Sequence, residues 1–129
     1  MIADSRKRDI ALVVDDSPET LRLLTDALDG AGMTVMVAMD GAAALRIVDQ
    51  ITPDIILLDA MMPDFDGATT LQALRANPKT AEIPVIFLTA KVQSSDRKRF
   101  GELGANAVLS KPFDPMTLGA QIAEALGWK

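Results

Sequence analysis

The stretch Ile55-Ile56-Leu57-Leu58-Asp59 is an unbroken aliphatic run closed by a carboxylate. A run this short, with no polar alternation, reads as a strand covered on both faces, as in a parallel sheet. Four comparable runs lie around it. Ile10 to Val14 and Met33 to Met39, interrupted by Thr34, precede it; Val85 to Leu88 and Ala107 to Leu109 follow it. Buried helix segments can give similar runs, so the spacers between them decide the fold.

Those spacers carry helical stripes. Leu21, Leu24 and Leu28 recur at helical spacing, as do Ala44, Ile47 and Ile51, the pair Leu71 and Leu74, and Leu118, Ile122 and Leu126. Ser17 before Pro18 reads as an N-cap with proline at the first helical position, and Gly30 or Gly32 as a stop. Asp66-Gly67 and Asn77-Pro78 bracket the third helix. The segment from Val92 to Gly104 is the weakest of the set, because Gly101 costs ~1 kcal/mol relative to Ala inside a helix and its apolar residues thin to Phe100 and Leu103. It is expected to be the softest helix. Strand and helix alternate throughout, which predicts an α/β fold: a doubly wound parallel sheet with helices on both faces and right-handed crossovers.

Composition narrows the chemistry. A chain of 129 residues with 49% hydrophobic and 24% charged residues suits one domain with a real core. The absence of Cys removes disulfides and thiolate sites, and the absence of His removes the commonest general base and transition-metal ligand. Carboxylates, hydroxyls and lysines remain. A net charge of −5 argues against nucleic acid as a direct partner. No apolar run approaches the ~18 residues of a membrane helix, so no membrane partner is expected and the predicted location is cytoplasmic. The triplets Arg6-Lys7-Arg8 and Arg97-Lys98-Arg99 read as solvated faces.

In an open parallel sheet, ligands bind beyond the carboxyl ends of the strands, where the strand order reverses. The first run ends in Asp15-Asp16, the third in Asp59 and the fourth in Thr89, while Ser110-Lys111-Pro112 follows the fifth. Each alone is an ordinary cap or turn residue. Caps, however, do not require an acidic pair, a lone carboxylate, a hydroxyl and a lysine at matching strand ends. Carboxylates ~4 Å apart repel by about 4 kcal/mol per pair at an effective dielectric of ~20, so a cation must offset them. With oxygen ligands alone, Mg²⁺ is the natural choice. Lys111 then offers a point charge and Thr89 a hydroxyl to a phosphoryl oxygen.

The ordered set Asp15-Asp16, Asp59, Thr89 and Lys111-Pro112, joined to Met61-Met62-Pro63-Asp64-Phe65-Asp66-Gly67, resembles the receiver domain of two-component response regulators over nearly the whole chain. The resemblance implies a flavodoxin-like three-layer sandwich: a five-stranded parallel sheet in the order 2-1-3-4-5 with five helices. It places a tail at residues 1–8 and the receiver domain at 9–128. Asp59 would be the phosphoacceptor. Asp16, Asp59 and the Met61 backbone carbonyl would ligate Mg²⁺, with Asp15 reaching it chiefly through water. Thr89 would bond a phosphoryl oxygen, and Lys111 would pair with that oxygen or, before transfer, with Asp59. The Lys111-Pro112 bond resembles one that is cis in the family, where proline lowers the cost. Relatives couple the threonine to an aromatic ring on the fifth strand, but here that switch position holds Val108, short and stiff at χ1. Met61 and Lys91 flank the approach of a hydrolytic water and supply neither carboxylate nor amide to orient it, so slow dephosphorylation is expected.

The function so implied is a signalling module rather than an enzyme acting on outside substrates; it would catalyse only its own phosphorylation and dephosphorylation. It would take a phosphoryl group from the phosphohistidine of a sensor histidine kinase or histidine phosphotransfer protein, and its conformation would regulate a downstream protein. Without histidine it cannot be its own phosphohistidine donor. A stand-alone phosphatase of the haloacid dehalogenase type also uses Asp, Thr, Lys and Mg²⁺, but it needs Asp-x-Asp after the first strand, and here the carboxylates are adjacent and Ser17 follows. A flavodoxin-like cofactor binder would need a phosphate-cradling loop where Asp15-Asp16-Ser17-Pro18-Glu19 presents negative charge. A purely structural pseudo-receiver would gain nothing from keeping the full set.

Overall fold

The computed structural model of the chain describes residues 10–60, 67–89, 94–111 and 113–127, with backbone only over 94–97. The elements alternate as the runs and stripes predict: β1 (Ile10–Val14), α1 (Pro18–Gly30), β2 (Thr34–Ala38), α2 (Gly41–Gln50), β3 (Ile55–Asp59), α3 (Gly67–Ala76), β4 (Val85–Thr89), α4 (Ser94–Glu102), β5 (Ala107–Ser110) and α5 (Leu118–Leu126). All strand pairs are parallel and the order is β2-β1-β3-β4-β5. Strand order reverses between β1 and β3, which fixes where a ligand crevice opens.

Strand alternation divides the core into two layers. Leu12, Val14, Ile56, Leu58, Val85 and Phe87 pack with α2, α3 and α4 residues such as Val48, Leu71, Leu74 and Phe100. Ala11, Val13, Ile55, Leu57, Ile86 and Leu88 pack with Leu21, Leu24 and Leu28 of α1 and Leu118 and Ile122 of α5. The strand residues of β1, β3 and β4 in these layers are fully inaccessible, and each large aliphatic side chain so buried stabilises by roughly 1.5–3 kcal/mol. Ser17 caps α1, its side chain accepting from the Thr20 N–H, with Pro18 in the first turn. Asp40 caps α2 by accepting from the Ala43 N–H at 2.7 Å.

Two details depart from the sequence pattern. β2 is an edge strand, and its Thr34 and Val37 face solvent although its composition matches the inner strands. In α2 the core stripe runs through Gly41, Ala44 and Val48; Ile51, expected on that stripe, is instead the C-cap and lies 47% exposed. The helix ends one residue before it, and its extended backbone turns the side chain outward. Among the described residues, no helix is long and apolar enough to cross a membrane.

Candidate functional site

β1 ends at Val14, and the chain turns at Asp15-Asp16 into the cap of α1. The Asp15 N–H donates to the Ala38 carbonyl, which ties this turn to the end of β2. Asp15 Oδ1 accepts from the Ser17 N–H at 2.9 Å, so the turn that starts α1 also holds the carboxylate. Asp59 closes β3, and the following Ala60 N–H donates to the Leu88 carbonyl of β4. Both Asp15 and Asp59 are buried, whereas Asp16 is exposed. One carboxylate oxygen from each of Asp15, Asp16 and Asp59 lies within 4.8 Å of the others.

The fourth strand end contributes Thr89, 1% exposed and in register with Ser110. The Thr89 carbonyl accepts from the Lys111 N–H at 2.9 Å, which anchors the lysine at the same sheet edge. Lys111 Nζ lies 2.8 Å from Asp15 Oδ2 and 3.6 Å from Asp59 Oδ2. Its closer partner is therefore Asp15, where the family resemblance implies Asp59. The reason is positional: Asp15 Oδ1 is fixed by Ser17, which turns Oδ2 toward the ammonium. Three formal negative charges face one positive charge among the described residues, in a setting where burial weakens solvent screening.

Asp15, Asp16, Asp59 and Lys111 are thus brought together, and Thr89 stands at the same edge. Val108 is not part of this cluster; it is buried under α4 in register with Phe87. Met61, Lys91 and Pro112, and with them the carbonyl ligand, the hydrolysis positions and the peptide isomer, lie outside the described residues. By sequence, Gly67 reads only as a helix bracket. In the fold it is a close approach: a Cβ there would sit 2.6 Å from the Asp59 carbonyl oxygen and 2.8 Å from Ala60 Cα, so only glycine lets α3 begin against the Asp59 backbone. The Asp-Gly pair was the available signal.

A family model described as the response regulator receiver domain matches residues 11–123. The chain is 39% identical over 115 residues to the DNA-binding dual master transcriptional regulator RpaA of Synechocystis, covering 89% of this chain and 48% of that protein. It is 42% identical over 118 residues to the response regulator PleD of Caulobacter vibrioides, covering 92% of this chain and 26% of that protein. The chain thus spans half or less of the length of these curated relatives. A solved structure of the chemotaxis response regulator CheY4 of Vibrio cholerae superposes with a TM-score of 0.86 at 29% identity, covering 91% of this chain and 98% of that one. With the strand order and the acidic strand ends already described, these matches show that the chain belongs to the receiver domains of two-component response regulators.

Proposed function

We propose that this receiver takes up a phosphoryl group on Asp59 and that the other strand-end residues serve that transfer. The observation that carries the reading is the packing of three carboxylate oxygens within 4.8 Å, with one lysine ammonium against two of the three carboxylates. A cluster so negative neither attracts nor tolerates a phosphoryl group by itself. Its donors are all oxygen, in a chain without His or Cys, which suits a hard divalent cation such as Mg²⁺ held by Asp16 and Asp59, with the Met61 carbonyl as a third ligand. Asp15, both of whose oxygens are already engaged by Ser17 and Lys111, would reach such an ion through water. When bound, the ion supplies charge neutralisation for the incoming group.

Phosphoryl transfer is mostly positioning and electrostatics. A carboxylate oxygen of Asp59 forms the new P–O bond as the P–N bond to the donor imidazole breaks, and the imidazole leaves neutral, keeping the proton already held on its other ring nitrogen. Lys111, held between Asp15 and Asp59, swings a point charge onto a phosphoryl oxygen. The Thr89 hydroxyl donates to another. The donor is a phosphohistidine on a sensor kinase or a histidine phosphotransfer protein, in keeping with a chain that has no histidine of its own. A downstream protein reads the modified state. DNA binding is named for RpaA, a protein about twice as long; the −5 charge of this chain favours a protein target over polyphosphate. Family membership and the adjacent Asp15-Asp16 pair both speak against the phosphatase reading.

Exposure of the parent to a small-molecule phosphodonor, followed by intact mass, tests the proposal. The mass gain of one phosphoryl group is expected only with Mg²⁺, and Asp59→Asn is expected to abolish it. A variant labelled as fast as the parent overturns the assignment of the acceptor.

A further inference from the structure

β5 presents the small Val108 to the core beneath α4, yet that core is not short of aromatic packing. Phe87 on β4 is fully buried, and its ring meets that of Phe100 on α4 edge to face, centroids 4.7 Å apart at 61°. Val108 is the β5 neighbour of Phe87 on the same sheet rung, and both belong to one core layer with Phe100. Phe87 stands two residues before Thr89 on the strand that ends at the acidic site. Its other flank is equally tight: a Cβ at Gly67 would come within 3.0 Å of Phe87 Cε1, as well as 2.6 Å from the Asp59 carbonyl oxygen. The first residue of α3 is therefore wedged between the backbone of Asp59 and the Phe87 ring.

We propose that the Phe87–Phe100 pair is the element through which the state of Asp59 reaches α4. This rests on Asp59 being the phosphorylated group. A close-packed interior transmits displacement rather than absorbing it, so a shift of the Asp59 backbone or of the first turn of α3 presses on the Phe87 ring. Edge-to-face aromatic pairs have preferred geometries, and Phe100 follows its partner. Among the α4 side chains described, Phe100 alone is buried; Lys98, Arg99 and Glu102 are exposed. Movement of that one ring moves the helix.

The far end of α4 is tied to α3. Arg75 at the close of α3 holds the Gly104 carbonyl, donating from Nε at 3.2 Å and from Nη2 at 2.9 Å, and the same guanidinium holds Ile83 and Ala81. Gly104 adopts φ +107°, and a Cβ there would meet Arg75 Nε at 3.2 Å, so the joint is closed by a residue without a side chain. A helix pushed at Phe100 and pinned at Gly104 tilts rather than translates. The exposed Lys98 and Arg99 on its outer surface, Arg99 lying 5.1 Å over the Phe100 ring, are carried with it.

Amide hydrogen exchange with Mg²⁺, with and without beryllofluoride, tests the relay in the parent, Phe100→Leu and Phe87→Leu, alongside phosphoryl uptake by mass. The expected result is a change in protection over residues 98–104 in the parent that is lost in both leucine variants, while both still take up the phosphoryl group at the parent rate. Leucine variants that keep the parent's α4 response, or a parent that takes up the group without any α4 response, overturn the relay. A parent that takes up no phosphoryl group overturns the assignment of Asp59 instead. Should the variants fail to fold, the parent's ring proton shifts decide: both rings must shift on beryllofluoride addition, and unmoved rings overturn the proposal.

Discussion

The two edges of the sheet are built on opposite electrostatic principles. At the edge where β1 and β3 end, Asp15, Asp16 and Asp59 crowd together with Lys111 as the cation among the described residues. At the other edge, Arg75 spreads its donors over the carbonyls of Ala81, Ile83 and Gly104 and over Asn106 Oδ1, which in turn accepts from the Val85 N–H. Burial pushes the Arg75 guanidinium below its ordinary pKa, and the nearby Glu82 opposes that shift. Among the described residues, one edge gathers carboxylates in excess of its lysine, whereas the other satisfies its backbone from within and so fixes a joint. The proposed site and the arginine joint thus lie at opposite ends of the strands of one small sheet.

The contrast predicts unequal costs. Arg75→Met leaves several carbonyls without a donor, and charge-assisted hydrogen bonds of this kind make the expected loss about 3 kcal/mol. Urea unfolding measures it; a loss no larger than that of an ordinary surface substitution would show that the two edges do not differ in this way. Lys111→Met strips the partner from Asp15, a carboxylate 1% exposed. The expected cost is about 2 kcal/mol without divalent cation, a charged group losing its pair. Added Mg²⁺ is expected to recover part of it by binding only the folded state, so identical melting temperatures with and without Mg²⁺ would contradict the picture of a cation-seeking edge.

The smallest effect has the opposite sign. Asp16→Asn removes one of three like charges at an exposed position, and relief of repulsion at near-water dielectric is worth about 1 kcal/mol. The variant should melt above the parent in chelator and below it, or level with it, in Mg²⁺. Calorimetry under both conditions checks the crossover. A variant less stable in chelator that still gains as much from Mg²⁺ as the parent breaks the repulsion argument.

Much of this was legible in the residues. Ile55 to Leu58, Val85 to Leu88 and Ile10 to Val14 read as strands buried on both faces because short unbroken apolar runs alternate with helical spacers, and all but the half-buried Ile10 are inaccessible in the fold. The strand-end residues Asp15, Asp16, Asp59 and Lys111 could be grouped because a parallel sheet brings all its carboxyl ends to one edge. Periodicity failed where a helix stopped: Ile51 fits the α2 stripe by spacing, but the helix closes at Gln50 and the stripe passes through Val48.

What the residues determined by themselves was local and additive: which runs are strands, which stripes are helices, which caps begin them, and which chemistry collects at one sheet edge. Tertiary structure decided the pairings between distant positions. Lys111 chooses Asp15 over Asp59 across 96 residues because the Ser17 N–H fixes the first carboxylate oxygen and aims the second. Arg75 finds Gly104 across 29 residues, and Phe87 finds both Gly67 and Phe100, because three helices converge on one face of the sheet. β2 is exposed where β3 is not, although both are apolar, because only assembly of the sheet decides which strand lies at an edge. Spacing along a chain sets which face a side chain takes, but contact across a core depends on packing geometry that no single stretch of sequence contains.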